Sequence, residues 1–325
     1  MSRENNNLIS IRDLTVSYRA GSGLFRTSKS YNAVDGVSLD IRKGETLGLV
    51  GESGCGKSTL GKAILKLIES SGGSVTFDGT DLTEVTRRVM RERRKHAQVI
   101  FQDPYSSLDP KMTVGQIIAE PLRAFRLDAG SDNITALMET VGLDRELKSR
   151  FPRELSGGQR QRVGIARALA TNPDFIVADE PLSALDVSIQ AQIMNLISEL
   201  KATRQLTILF ISHDLRAVGH LSDRIAVMYL GRIVEIAESD ELYREPLMPY
   251  TQALLSAIPN PKRKHERIIL QGDVPSPHDP PSGCRFRTRC PYALEECSTT
   301  TPELVEIKPR HFAACTRISS ESPAI

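Results

Sequence analysis

The sequence has no apolar run that could cross a bilayer. Its 325 residues hold nothing near the ~18 consecutive apolar residues that a span needs. The N-terminus, MSRENNNLIS, lacks the apolar centre of a secretion signal. Such a chain is expected to stay in the cytoplasm and to reach a membrane only through other subunits. An excess of charge is missing too. Lys and Arg number 42 and Asp and Glu 40, for a net +2, so bulk electrostatics advertise neither nucleic acid nor an acidic partner. Cysteine is scarce until the end. Cys55 stands alone in a glycine-rich loop, and Cys284, Cys290, Cys297 and Cys315 gather near the C-terminus. In a reducing compartment that grouping points to metal before disulfides. No internal repeat is found.

What is present suffices for one large domain or two modest ones. LISIRDLTVSY (8–18) alternates and is rich in β-branched residues, as a strand does. A polar loop, RAGSGLFRTSKS (19–30), follows. Strands are expected over 33–41 and 45–50, turning at Lys43-Gly44, then a helix over 59–68. A short strand and turn fit 73–79, a basic helix 87–95, and a buried strand 97–101. Residues from about 104 to 154 read as helical segments broken by Pro104, Pro110, Pro121 and Pro152. A helix over 159–170 precedes FIVAD (175–179). That run and LTILFIS (206–212) are continuous and apolar, as in strands buried on both faces of a parallel sheet. With the helix 189–204 between them, the order is that of an α/β core. RIAVMYLGRIVEI (224–236) reads as a hairpin turning near Gly231. Residues 245–283 are proline-rich and linker-like.

The loop GESGCGKS, Gly51 to Ser58, fits the phosphate-binding pattern G-x-x-x-x-G-K-[ST]. It leaves a strand and opens a helix, the context the motif requires. Glycines let backbone N–H groups wrap phosphates, and the helix N-terminus adds positive potential. Ser53, Gly54, Gly56 and Thr59 complete the cradle. Lys57 is expected on the β- and γ-phosphates, with the Ser58 hydroxyl on Mg²⁺. Cys55 is read as a small residue tolerated there. Asp179 ends a strand, where a carboxylate can hold Mg²⁺ through water. Glu180 follows and can polarise an attacking water. Between these motifs lies LSGGQ (155–159). Ser156 with Gln159 matches a capping box at a helix start, and the same N–H groups can face a phosphate.

These motifs, in this order, resemble the ABC ATPase family over about residues 8–240. The resemblance implies binding and hydrolysis of ATP with Mg²⁺. The implied fold is α/β: a P-loop NTPase (RecA-like) core with an antiparallel β subdomain, a helical signature subdomain at about 104–158, and a small cysteine-rich C-terminal extension. It places one domain over 1–244 and the extension over 245–325. In that family two subunits pack head to tail, so Ser156, Gly157, Gly158 and Gln159 close over the partner's ATP. Gln102, in VIFQDP, matches the glutamine that senses Mg²⁺, attacking water and the membrane subunit. Asp186, in SALD, matches the aspartate that communicates across the dimer. His213, in ISHD and 33 residues after Glu180, matches the histidine that contacts the γ-phosphate. Tyr18 is the choice for stacking on adenine, with Tyr31 as the alternative.

Past residue 240, PLMPYTQALLSAIPNP (246–261) and GCRFRTRCPYALEEC resemble the C-terminal extension of oligopeptide and dipeptide importer ATPases. GESGCGKSTL with FQDPYSSLDPKMTVGQIIAEPLR resembles the second of the two non-identical ATPases in such systems. The implied partners are a related ABC ATPase, two transmembrane permease subunits and, indirectly, a solute-binding protein. The implied location is the cytoplasmic face of the inner membrane. The four cysteines are spaced C-x5-C-x6-C-x17-C. Four thiolates can hold Zn²⁺ or a [4Fe–4S] cluster, and tight C-x2-4-C pairs typical of zinc are missing. The resemblance favours the iron–sulfur cluster. Arg285, Arg287 and Arg289 are read as offsetting the negative charge of a tetrathiolate site of either kind. The run from Arg87 to Lys95, with six basic residues, is read as a solvated helix face, and no aromatic platform accompanies it for nucleic acid. The rival readings are a soluble ABC ATPase of repair or translation and an ATP-responsive iron–sulfur regulator. Repair members carry a very long coiled coil between loop and signature, where this chain has about a hundred residues.

Overall fold

The computed structural model describes residues 6–20, 29–183, 185–258 and 267–319. The first five residues, positions 21–28 of the polar loop, Ala184 of SALD and part of the proline-rich stretch lie outside the described residues. The chain opens with β1 (Asn7–Ala20), β2 (Lys29–Arg42), β3 (Thr46–Val50), α1 (Lys57–Ile64), β4 (Gly72–Phe77) and β5 (Thr80–Asp81). Then come α2 (Arg87–His96), β6 (Ala97–Ile100), α3 (Val114–Ala124), α4 (Ser131–Thr140) and two 3₁₀ turns. α5 (Gly157–Leu169), β7 (Phe175–Asp179), α6 (Val187–Arg204), β8 (Thr207–Ile211) and α7 (Leu215–Leu221) follow. The chain ends with β9 (Arg224–Tyr229), β10 (Arg232–Glu238), α8 (Ser239–Arg244), α9 (Pro249–Ser256), a 3₁₀ turn, β11 (Val305–Lys308) and β12 (His311–Ala313).

Two compact units divide these elements. One draws on Met1–Ile9, Ile41–Glu45 and Phe77–Ser212. In it β6, β7 and β8 lie side by side and parallel, with Phe175 opposite Ala97 on one side and Thr207 on the other. Every residue of β7 and β8 is buried, as their continuous apolar runs require. β6 is less covered than its sequence suggested. Only Ile100 is buried, and Phe101 is 37% exposed; among the described residues no strand pairs its other side. Helices α3 and α4 pack on α5. α3 starts at a capping box, Thr113 with Gln116, and runs straight through Pro121, which was expected to break it. A proline there removes one N–H donor, and burial of Ile117, Ile118 and Leu122 offsets that loss. α2 buries none of its residues, in keeping with a solvated face.

The other unit draws on Ser10–Asp40, Thr46–Thr76 and His213–Ile325. Its strands run in the order β3, β9, β10, β12, β11. β3 and β9 are parallel, with Val50 opposite Val227. β9 and β10 form the expected antiparallel hairpin, turning at Leu230 and Gly231, both at positive φ. β12 adds to β10, with Ala313 opposite Glu235. The sequence showed neither β11 nor β12, nor a helix in the linker-like stretch, where α9 forms behind Pro249 at its first turn. α1 ends earlier than its periodicity implied, because Lys66 takes positive φ. The core of this unit includes Tyr229, Tyr250 and Phe286, each no more than 2% exposed.

Candidate nucleotide site

The phosphate-binding loop leaves β3, where all five residues are buried. Gly51 has φ 151° and Gly56 φ 108°. A Cβ on Gly51 would stand 2.1 Å from the Met228 carbonyl oxygen, and one on Gly56 2.1 Å from that of Ala33. Both neighbours are backbone, so only glycine fits. Gly56 is the N-cap of α1 and brings no side-chain acceptor. The helix thus starts without a capping oxygen, an arrangement in which a phosphate can supply the acceptor. Lys57 is 5% exposed. Its ammonium donates to the carbonyls of Gly51 (2.8 Å) and Glu52 (3.0 Å) and lies 3.8 Å from Cys55 Sγ. Burial pushes the Cys55 thiol up, which keeps it unreactive.

Asp179 closes β7 and is buried. Glu180 follows at φ 45°, a left-handed conformation that carries strain in a non-glycine residue and clusters at functional sites. Its N–H donates to the Ile211 carbonyl at 2.9 Å. Gln102 Nε2 donates to Glu180 Oε2 at 2.9 Å. Two predicted catalytic residues, 78 positions apart, therefore meet. Ser156 caps α5 through the expected box. Its hydroxyl accepts from Gln159 N–H at 3.3 Å, and Gln159 Oε1 accepts from Ser156 N–H at 2.9 Å. Gly157 and Gly158 form the first helical turn. Asp186 caps α6, accepting from Ser188 Oγ at 2.7 Å and Ile189 N–H at 3.0 Å. The hydrogen bond from Ser188 leads the contacts that hold its carboxyl down.

His213 is exposed just past β8, and the neighbouring Asp214 caps α7. Tyr18 and Tyr31 lie together, ring centroids 5.9 Å apart. Tyr31 also packs on His278 at 4.1 Å, while Tyr18 is 39% exposed. Tyr18 thus keeps the more open face for a planar ligand.

The four C-terminal cysteines are free thiols in one lobe. Cys284 N–H donates to the Cys297 carbonyl at 2.8 Å. Burial pushes the thiols of Cys284, Cys290 and Cys315 up, and each of these also feels the charge of one or more of the other cysteines. Among the described residues no group of three or more His, Cys, Asp or Glu side chains is placed to hold a metal ion. Two of the three arginines assigned to offset thiolate charge are engaged elsewhere. Arg285 bonds Asp35 and the Leu230 carbonyl, and Arg289 bonds Glu52. A carboxylate is the nearer counter-ion for each. The Arg287 guanidinium donates to the carbonyl and hydroxyl of Ser282, and its charge still works against the rise of the Cys284 thiol. Glu52 and Tyr250, whose hydroxyl accepts from Glu52 N–H at 2.9 Å, were not singled out in the sequence. Nothing in the local pattern marks them.

A phosphate loop with an uncapped helix, and a strand-end carboxylate pair whose Glu180 is steadied by a glutamine, define a P-loop ATPase of the cassette class. Residues 34–183 match the family described as ABC transporter, and 234–297 the oligopeptide/dipeptide transporter C-terminal region. YkfD of Bacillus subtilis is 53% identical over 316 residues, covering 95% of this chain and 94% of the relative. The oligopeptide transport ATP-binding protein OppF of Salmonella typhimurium is 50% identical over 323 residues, covering 96% of each. An ATP-binding cassette solved as a dimer in a post-hydrolysis state with ADP and Pi is 28% identical, with a TM-score of 0.64. The match covers 71% of this chain and 98% of that one. The chain belongs to the ABC transporter ATPases, in their oligopeptide/dipeptide branch, and it is an ATP hydrolase.

Proposed function

We propose that this chain hydrolyses ATP to power import of di- or oligopeptides, or of related small solutes. The observation that carries the reading is the Gln102–Glu180 hydrogen bond of 2.9 Å. It joins the carboxylate suited to activating water to the glutamine suited to sensing a membrane subunit. Lys57 and the loop N–H groups bind the phosphates. The hydroxyl of Ser58, the carboxylate of Asp179 and the amide of Gln102 are hard oxygen donors of the kind Mg²⁺ takes, and Mg²⁺ when bound neutralises phosphate charge. Glu180 orients the water and takes its proton. Tyr18 stacks on the adenine, and His213 contacts the terminal phosphate. Ser156, Gly157, Gly158 and Gln159 serve a second ATPase, which we take to be related but non-identical, with Asp186 at that junction. The ATPase domain ends near residue 244 and the extension begins at 245.

Among the described residues no helix is long and apolar enough to cross a membrane. As in the importer family, two permease subunits would hold the chain at the cytoplasmic face, and a solute-binding protein would deliver the cargo. The four thiols of Cys284, Cys290, Cys297 and Cys315 are the residues that would hold a [4Fe–4S] cluster, once drawn closer than they stand in this structure. What supports this is their spacing in the sequence and their resemblance to the extension of the importer ATPases. A cluster takes one thiolate on each iron and accepts wider sulfur spacing than a single zinc ion does. When bound, it cross-links the lobe.

The test is purification with the neighbouring membrane subunits, followed by peptide-stimulated ATPase and by iron, sulfide and zinc analysis under anaerobic conditions. Recovery with two polytopic subunits and with about four irons per chain is expected. Recovery with ribosomes or DNA would overturn the importer reading. Colourless protein that contains zinc or no metal would overturn the cluster.

A further inference from the structure

The extension touches the phosphate-binding loop in a way the reading above does not use. Arg289 immediately precedes Cys290. Its guanidinium grips the Glu52 carboxylate with both terminal nitrogens, Nη1 to Oε2 at 2.7 Å and Nη2 to Oε1 at 3.0 Å. The side chains are 8% and 26% exposed, and the hydrogen bond to Glu52 pushes the guanidinium further up. Shielded two-pronged pairs of this kind are strong and directional. Glu52 is the second residue of the loop. Its N–H is held by the Tyr250 hydroxyl and its carbonyl by Lys57, so carboxylate, N–H and carbonyl all have partners. Tyr250 packs on Tyr229 at 4.7 Å, and Phe286, three residues before Arg289, lies 5.4 Å from both rings.

We infer that Arg289 is a positioning residue for nucleotide, acting through Glu52. A carboxylate inside a loop that must take up a polyanion repels it unless neutralised. Arg289 neutralises that charge. Its planar fork also fixes the direction of Glu52, and with it the N–H and carbonyl on either side. The cysteine-bearing extension is thereby part of the support of the ATP site. This rests on reading the loop as that site.

The test is calorimetric titration of the full chain with ADP·Mg. Arg289→Met uncovers the Glu52 charge and loses the fork, and should weaken binding about tenfold. Arg289→Lys keeps the charge but loses the fork, and should weaken it about threefold. Glu52→Gln added to Arg289→Met removes the exposed charge and should return binding to about the Lys level. A merely structural role would show no such rescue. Variants that all bind like the wild type, or a double variant no better than Arg289→Met, would overturn the inference. Should Arg289→Met not fold, Arg289→Lys decides alone, and binding equal to wild type counts against the role. A wild-type chain that binds no nucleotide is a different failure and sinks the nucleotide-site reading itself.

Discussion

Glu180 carries a left-handed backbone that a glutamate adopts only when its surroundings compel it. Its N–H is tied to Ile211 and its carboxylate to Gln102, so the side chain is aimed before substrate arrives. Replacing it with glutamine keeps size and polarity but removes the proton acceptor. Glu180→Gln is expected to bind ATP normally and to lower kcat by ~10²-fold or more, leaving a nucleotide-loaded, closed pair of subunits. Single-turnover hydrolysis beside nucleotide binding checks it, and turnover near the wild-type rate would remove Glu180 from the role of base. At this scale the sequence was readable where a motif is contiguous. Gly51 to Ser58 and Ser156 to Gln159 declare their geometry in eight and four letters, because local backbone chemistry alone dictates them. Gln102 was reached only through family resemblance. Arg289 and Glu52, 237 positions apart, were not paired at all, since a long-range ion pair leaves no periodic trace.

Elements followed the same divide. The apolar runs of β7 and β8 and the hairpin of β9 and β10 were legible because burial on both faces, or a turn at Gly231, writes itself into a few neighbouring residues. β12 was not, because its short strand exists by pairing with β10. What fastens it is a buried polar junction. His311 Nε2 lies 2.7 Å from Glu235 Oε1, and the same carboxylate accepts the N–H groups of Leu247 and Met248 at 2.6 and 3.1 Å. Glu235 and His311 are 0% and 1% exposed. Glu235→Ala strands three donors at once and should cost about 3–5 kcal/mol, read from denaturant unfolding; a loss under about 1 kcal/mol would show the junction to be solvated. A second junction responds to acid. Burial pushes the Asp35 carboxyl up, but Asn32, Arg232 and Arg285 outweigh it and hold the carboxyl below its usual value. A depressed carboxylate stabilises the fold above its unfolded pKa, and that contribution is lost as pH falls through the folded value. The wild type should therefore lose thermal stability below about pH 4 more steeply than Asp35→Asn. Parallel acid profiles would show that Asp35 is not coupled to folding.

At the scale of the whole molecule, the chain's own phosphate loop and its own signature are expected to serve different ATP molecules. The two roles of Ser156 can be separated by charge. As an N-cap, its hydroxyl accepts from Gln159 N–H, and aspartate caps a helix about as well as serine. As a phosphate contact for a second subunit, the same position cannot take a carboxylate, because two anions would be pressed together with little water between them. Ser156→Asp should therefore leave the thermal midpoint of the isolated chain within a few degrees of wild type, and leave its own nucleotide affinity unchanged. In the assembled transporter the same substitution should lower ATP turnover more than tenfold, at the site formed with the partner's phosphate loop. Calorimetry on the chain and ATPase assays on the complex make the comparison. If turnover in the complex were retained, the signature would be a helix cap and nothing more, and this chain would hydrolyse ATP without a partner's site to complete. If nucleotide binding by the isolated chain fell, Ser156 would belong to its own site, and the division of labour between two subunits would have to be redrawn.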